Sequence, residues 1–311
     1  MAARAIRCAH SMLSSRPALH MIQRFATPAT GLVVEIASLR RPELALRVTR
    51  YEDIVVDERL LTRSFPFVPA SSRVVCAMML EGALEIDGDE GRLDVVAGES
   101  VLLGIPSMRR TRWVRATYLD LEWTPRATHE VTKPTRLGPV DLEAARAVAA
   151  ALVGRYPDQR PTLESAFELA RALGAPFQLS TADLLGEPTE SDRRLAHAME
   201  VELANLASRA TGLHLSESMK LSPRQLQRVV QDFNARYQHN AGNWRDNRNR
   251  WRLQLAALLL SRPALTVAEV AHTVGYASSN ALARAFLEAG FPPPAAVRAM
   301  VLSGSACAVG E

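Results

Sequence analysis

Hydrophobic and polar residues follow two different periods along the chain, and the period changes near residue 128. From about Gly31 to Glu122, short apolar runs alternate with clusters of glycine, proline and acidic residues. Such runs predict β-strands joined by turns, and many short strands at regular spacing indicate a sandwich or a barrel. The predicted strands are 32–36, 53–56, 73–80, 83–86, 92–96, 100–103 and 112–123, with turns at 81–82, 87–91, 97–99 and 104–106.

Beyond residue 128 the apolar residues recur at helical spacing. Helices are predicted over 141–153 and 163–173, with a break at Pro157 and Pro161 between them. We expect this helical segment, 137–185, to cover the barrel or to pack against a second subunit. The stretch 174–192 is the predicted linker, and the chain from Asp192 to Val301 is predicted to be helical throughout.

The strand region resembles the small β-barrel called a cupin. The resemblance rests on the Gly98 turn, followed by an apolar strand that ends near Pro106, and it covers roughly residues 30–123. The predicted fold class is therefore α+β: an N-terminal cupin-like β-barrel (29–128) with a helical pair, then a C-terminal all-α domain with two helix-turn-helix units.

The C-terminal region contains a near-repeat. Residues 222–228 (Ser-Pro-Arg-Gln-Leu-Gln-Arg) are echoed by residues 278–284 (Ser-Ser-Asn-Ala-Leu-Ala-Arg), so that Ser, Leu and Arg each recur 56 positions later. Each copy predicts a short helix opened by a capping hydroxyl group, with apolar residues on one face and Arg or amide side chains on the other. Two such helices suggest a protein that reads two successive major-groove segments of duplex DNA.

The polar faces of these two helices supply the candidate DNA-binding residues. Arg pairs well with guanine O6 and N7, Gln and Asn pair with adenine N6 and N7, and a helix N-terminus favours a phosphate. Ala283 is too short to read a base edge by a hydrogen bond. The candidates are Arg224, Gln225, Gln227 and Arg228 in the first helix and Ser279, Asn280, Ala283 and Arg284 in the second.

Residues 267–286, with a Gly turn at Gly275, resemble the signature of the AraC/XylS family of bacterial regulators. The Gly-Phe-Pro-Pro-Pro tail at 290–294 and the Arg-Leu-Gln-Leu-Ala run at 252–256 fit the same signature. The resemblance implies an AraC-type DNA-binding domain, placed at 190–302, in which a central helix joins two helix-turn-helix units that bind adjacent major grooves. It also implies base contacts at the positions named above except Gln225, an N-terminal domain that binds a small effector, and a helical pair that dimerises.

The first unit departs from the family pattern at four positions. Trp244 stands where proline is expected and Asn247 replaces an aromatic residue; Ser216 replaces a small alanine, and Lys220 replaces the turn glycine. These departures keep one alternative open, namely an interaction module whose DNA-binding domain is degenerate.

Charge supports a DNA-binding surface. The formal net charge is +4, and eight basic residues against two acidic ones lie between Lys220 and Arg252. A basic stripe in one domain is typical of a surface that contacts phosphates. A second basic group near a strand end predicts either an anionic effector site or a solvated edge: Arg109, Arg110, Arg112 and Arg115.

The remaining composition excludes several classes of protein. The three cysteines are scattered and form no CxxC pair, which indicates a reducing cytoplasm, and no apolar run is long enough for a membrane helix. Residues 31–128 contain no histidine, which argues against a cupin-type metal enzyme. Residues 1–28 are predicted to be a disordered basic extension rather than a transit peptide.

The sequence therefore predicts a cytoplasmic, sequence-specific transcription regulator of the AraC type. Its expected partners are double-stranded DNA, a small-molecule effector, a second copy of the chain and, for an activator, RNA polymerase. We predict that it is not an enzyme and has no catalytic residues, no metal and no cofactor.

Overall fold

The structure is a computed structural model that describes most of the chain. The part described contains nine strands and nine helices. The ninth helix, α9, is a short segment at 294–299. The described residues are 18–27, 31–41, 44–51, 54–56, 74–88, 91–104, 108–123, 131, 133–154, 159–177, 188–204, 206, 212–237 and 243–299. The strands are β1 (Leu19–Thr27), β2 (Gly31–Arg41), β3 (Leu44–Tyr51), β4 (Ile54–Val56), β5 (Val74–Gly88), β6 (Gly91–Val96), β7 (Ser100–Gly104), β8 (Met108–Trp123) and β9 (Thr135–Arg136). The other helices are α1 (Leu142–Val153), α2 (Gln159–Ala172), α3 (Glu190–Ala204), α4 (Gly212–Met219), α5 (Pro223–Tyr237), α6 (Trp244–Leu260), α7 (Val267–Thr273) and α8 (Ser279–Glu288).

The described strands form one antiparallel sheet in the order β1-β2-β3-β8-β5-β7-β9, with β4 beside β8 and β6 beside β5. Alternate residues face opposite sides, because side chains in a strand alternate with a period of two. One face is apolar, and Leu46, Leu121 and Cys76 pack there with Leu152 and Phe167 of α1 and α2. The fold class, an antiparallel sheet followed by a helical region with helix-turn-helix units, is confirmed. Closure into a cupin-like barrel stays a prediction.

Gly82 forms a bulge inside a long strand, whereas the sequence predicted a turn there. Its φ is +71°, and the pairing of β5 with β8 shifts register on both sides of it. A Cβ at this position would lie 2.3 Å from the carbonyl oxygens of both Val114 and Arg115. Only glycine allows the two backbones to approach so closely, so the residue that suggested a turn instead bends a continuous strand.

Three strands were missed from the sequence, and one of them is the two-residue strand β9 (Thr135–Arg136). β3 (Leu44–Tyr51) fell in a region left unassigned, and β1 lies inside the extension predicted to be disordered, so that prediction is wrong for Leu19–Thr27. In β1, Leu19, Met21 and Phe25 are buried while Arg24 is exposed. This alternation marks a strand, although the surrounding segment is rich in arginine and contains no acidic residue, which is typical of a disordered basic extension.

The two predicted helices α1 and α2 are present, and α2 begins four residues earlier than expected. Pro161 was taken as a breaker, yet it is the third residue of α2. Proline is tolerated in the first turn, where the backbone N–H has no partner within the helix.

Helix α3 packs against the edge strand β1, so the helical region contacts the sheet directly. Leu195 and Met199 of α3 belong to one apolar cluster with Leu19 and Met21. The backbone N–H of Ile22 donates to the Glu200 carboxylate across this contact. Within the described part of the chain, no helix has the length and apolar character needed to cross a membrane.

Candidate DNA-binding interface

The first helix-turn-helix unit consists of α4, a tight turn and α5. Lys220 occupies the left-handed region with φ +54°. The turn is closed by two backbone hydrogen bonds, from Lys220 N to Glu217 O (3.0 Å) and from Leu221 N to Ser216 O (2.9 Å). This pattern ends a helix with a residue that is usually glycine. The chain therefore makes the expected turn with lysine in the place of glycine, and Ser216 is buried without disturbing it.

Helix α5 presents the predicted polar face to solvent. Its apolar face is buried through Leu226, Val230 and Phe233. The four candidates on the opposite side are all exposed: Arg224, Gln225, Gln227 and Arg228.

Gln225 has a structural role at the start of α5. Its Oε1 accepts hydrogen bonds from the backbone N–H of Ser222 (3.0 Å) and from the Ser222 hydroxyl (2.8 Å), while Gln225 N–H donates to Ser222 Oγ. This reciprocal arrangement is a capping box. The equivalent position of the near-repeat, 56 residues later, is Ala281, whose backbone N–H donates to the Ser278 hydroxyl. The third helical position thus serves to start the helix in both units.

The second unit follows the family pattern closely. Thr266 and Glu269 form a capping box at the start of α7. The hydrogen bonds to Thr266 hold the pKa of the Glu269 carboxyl group below its usual value. Gly275 makes the turn with φ +81°, and Tyr276 N–H donates to Ala271 O (2.8 Å).

Helix α8 then begins behind its cap Ser278 and exposes the second set of candidates. Leu282 and Phe286 are buried beneath it. Asn280 and Arg284 are exposed, and Ser279 and Ala283 are half-buried. Arg228 and Arg284, which correspond in the near-repeat, both reach solvent.

The two departures in α6 are parts of the core. Trp244 and Asn247 are buried, and Asn247 Nδ2 lies 3.5 Å from Asn234 Oδ1 of α5. Asn243 caps the helix by accepting from the backbone N–H of Asp246. The central helix therefore starts without the expected proline, because an asparagine cap and a buried tryptophan define its beginning.

Arg252 of α6 supports the second unit in a way that the sequence analysis missed. Its Nε donates to Val274 O (2.6 Å), its Nη2 donates to Gly275 O, and its guanidinium carbon lies 3.8 Å from the centre of the Tyr276 ring. Burial lowers the pKa of Arg252 and raises that of the Tyr276 hydroxyl. The family signature contained this arginine, but only the structure shows that it binds the turn of the second unit.

The basic stripe is shorter than its composition suggests. Arg236 pairs with Asp192, Arg248 donates to Leu206 O (3.3 Å), and Arg252 binds the turn described above. These three side chains stabilise the domain. The members of the stripe that are exposed are Lys220, Arg224, Arg228 and Arg245.

The N-terminal sheet contains a charged cluster on the face opposite α1 and α2. Arg47 lies 2.8 Å from Asp120 and 2.7 Å from Glu122, and both carboxylates are buried. Burial raises the pKa of Asp120 to about 6, although Arg47 opposes the shift. Beside the cluster, Trp113 stacks on Tyr118 with ring centres 4.2 Å apart.

The second basic group is only partly described. The side chains of Arg109, Arg110 and Arg112 lie outside the described residues, while Arg115 is exposed with φ +45°. Over the described part of the chain, no group of three or more His, Cys, Asp or Glu residues is arranged to hold a metal ion.

Comparison with known proteins places the C-terminal region in a family. A family described as a helix-turn-helix domain matches residues 215–300. No curated protein matches the chain. The fold search finds ToxT from Vibrio cholerae (8% identity, 82% of this chain and 98% of that one, TM-score 0.30). It also finds the AraC-like transcriptional activator CuxR (12% identity, 79% and 88%, TM-score 0.29).

A third match, KdgF from Halomonas sp., covers 30% of this chain and 80% of that one, at 10% identity and a TM-score of 0.23. At such TM-scores the three likenesses carry no argument about this chain. The two helix-turn-helix units and the family match over residues 215–300 are independent of these three likenesses. Together they show that residues 215–300 form a helix-turn-helix domain, within which residues 267–298 resemble the AraC/XylS signature.

Proposed function

We propose that the chain binds duplex DNA sequence-specifically through both helix-turn-helix units and is a regulator rather than an enzyme. The observation that carries this proposal is the equivalence of the two units. Each presents a capped helix with a buried apolar face, and the corresponding arginines Arg228 and Arg284 are both exposed. An exposed arginine near a helix N-terminus can donate two hydrogen bonds to a guanine, which is worth roughly 1–3 kcal/mol of discrimination.

The departures in the first unit do not disrupt the surface that reads DNA. Lys220 makes the turn, and Trp244 and Asn247 are buried on the far side of the polar face. Arg224, Gln227 and Arg228 therefore keep the exposure that base contact requires. This favours two working readers over the degenerate interaction module.

The experiment is a selection of bound fragments from random duplex DNA with the purified chain, followed by titration of the selected sequence. We expect two short conserved elements about one helical turn apart, since the two units are expected to enter neighbouring grooves. Binding should weaken steeply as salt rises, because cationic side chains release counterions from phosphates. Failure to enrich any sequence from a folded sample would refute the proposal.

We also propose that the N-terminal sheet senses a small molecule near the Arg47 cluster. A buried arginine with two carboxylates contributes little net stability compared with apolar packing, so its presence favours a functional role. The stacked Trp113 and Tyr118 supply an adjacent apolar wall. A thermal-shift screen of small carboxylates, phosphates and amines would test this, with Arg47→Met as the comparison. A ligand that stabilises the wild type and the variant equally would exclude this site.

A homodimer is the assembly that we propose, with α1 and α2 as the contacting elements. The support is their position: they cover one face of the sheet and leave their own polar faces outward. The mass in solution, measured by light scattering, would show twice the chain mass of 34.0 kDa. For an activator, we expect RNA polymerase as a further partner, and recruitment on a promoter fragment would test that.

A further inference from the structure

Asp192 is a buried carboxylate at the start of α3, far along the chain from either reading helix. It forms a reciprocal cap with Thr189: the backbone N–H of Asp192 donates to Thr189 Oγ1 (3.1 Å), and the Thr189 N–H approaches Asp192 Oδ2 (3.4 Å). A carboxylate in the first turn also interacts favourably with the helix dipole. Such a cap alone needs only an exposed side chain, yet Asp192 is 6% exposed.

The same carboxylate binds the last turn of the first reading helix. Arg236 Nη1 of α5 lies 2.8 Å from Asp192 Oδ1 and 2.6 Å from Oδ2. The buried Tyr237 hydroxyl donates to Oδ2 (2.9 Å). Burial, together with this hydrogen bond, raises the pKa of Tyr237 above its usual value. Two donors from α5 and the Thr189 N–H, which precedes α3, thus converge on one carboxylate.

This contact lies at the end of α5 that does not read DNA. Arg236 follows Arg228 by eight residues, which at 1.5 Å per residue is about 12 Å along the helix axis. The contact therefore acts on the base-reading residues only through the helix as a rigid body. Hydrogen bonds to base edges tolerate displacements of about 0.5 Å and tilts of about 10–20°, so a second anchor on a short helix matters for reading.

We propose that Asp192 is a positioning residue for the first reader: it fixes the tilt of α5 so that Arg224, Gln227 and Arg228 meet their bases. This inference rests on the proposed DNA-binding function. Arg236 is one of the basic residues of the stripe, which predicted a phosphate contact. The inference assigns it instead to the anchoring of the helix. The second reader has its own support in Arg252, so the loss of Asp192 is expected to affect one half of the DNA site.

The test compares Asp192→Asn with the wild type in the full chain. Asparagine keeps the shape, but its NH₂ group replaces one of the two oxygens that accept from Arg236, so one acceptor is lost in either orientation of the amide. Glu190→Gln is the matched control, because it removes a carboxylate from the same first turn, where the side chain is 73% exposed and pairs only at the surface with Arg193. If Asp192→Asn folds poorly, Arg236→Gln tests the same contact from its partly exposed partner.

The readout is the ratio of affinities for the selected DNA and for the same DNA with its first element scrambled. The first element is defined as the one whose scrambling no longer matters in Arg228→Ala. We expect Asp192→Asn and Arg236→Gln to lower this ratio roughly fivefold or more, and Glu190→Gln to leave it unchanged. Affinity for DNA that keeps only the second element should not change.

Combined variants separate positioning from general destabilisation. If Asp192 acts through the first reader, Asp192→Asn adds little to Arg228→Ala but adds fully to Arg284→Ala. A loss that falls equally on both elements, or a ratio equal to that of the wild type, would overturn the proposal. Wild-type protein that binds no DNA would instead refute the proposed function, so the two failures are distinguishable.

Discussion

The turn of the first unit offers a direct test of the two-unit account, through Lys220→Gly. Lys220 adopts φ +54° where the second unit has Gly275 at φ +81°. The left-handed region costs a residue with a Cβ roughly 1–2 kcal/mol, and glycine removes this strain. The greater conformational entropy of glycine in the unfolded chain offsets part of the stabilisation. The net expectation is that Lys220→Gly raises the free energy of unfolding by about 0.5–1 kcal/mol.

Two assays on the full chain measure this. Urea unfolding gives the free energy of unfolding, and native-state hydrogen exchange reports the opening of α4 and α5 separately from that of the N-terminal sheet. Lys220→Ala is the control, because alanine removes the same charge and keeps the unfavourable backbone angle. Gly275→Ala should lower stability by about 1 kcal/mol or more in the second unit. If Lys220→Gly protects α4 and α5 no better than Lys220→Ala does, the two turns are not equivalent and the reasoning fails.

Three further changes test the support of the second unit and the N-terminal sheet. Arg252→Lys should lower the free energy of unfolding, measured in urea, by about 1–2 kcal/mol, since lysine cannot bind two carbonyl groups and stack on a ring at once. An unchanged free energy of unfolding would contradict the supporting role of Arg252. Burial raises the pKa of Asp120 to about 6, so the folded state holds more protons than the unfolded state and loses stability as the pH rises towards 7. Relative to Asp120→Asn, the wild type should lose about 1 kcal/mol between pH 5 and pH 7, and equal pH profiles would refute the shift. Gly82→Ala should unfold the N-terminal sheet in circular dichroism, whereas Gly154→Ala, at an ordinary φ of −63°, should be tolerated; the reverse order would exclude the bulge.

Much of the helical region could be predicted from the sequence because its signals are local. A serine cap, a following proline and a four-residue apolar spacing define α5, and a Gly turn with a capped helix defines α8. The structure places both where the near-repeat predicts them, and it leaves Arg228 and Arg284 exposed. These signals lie within a few residues of the helix that they define, so the sequence alone reveals them.

The residues that the sequence did not assign depend on contacts between distant segments. Asp192 and Arg236 are 44 positions apart, Arg252 and Val274 are 22 apart, and Arg47 and Asp120 are 73 apart. No periodicity connects them, so arginines that bind carbonyls or carboxylates look the same in the sequence as arginines that face solvent. The turn predicted at Gly82 was wrong for a related reason, because a bulge and a turn both need a residue that tolerates positive φ.

The central claim is that two equivalent helices read DNA together. Footprinting on the selected sequence, with wild type, Arg228→Ala and Arg284→Ala side by side, tests it most directly. The account predicts two protected segments about one helical turn apart on one face of the duplex, with each substitution releasing a different segment. A single protected segment that both substitutions weaken equally, or protection that neither changes, would contradict it.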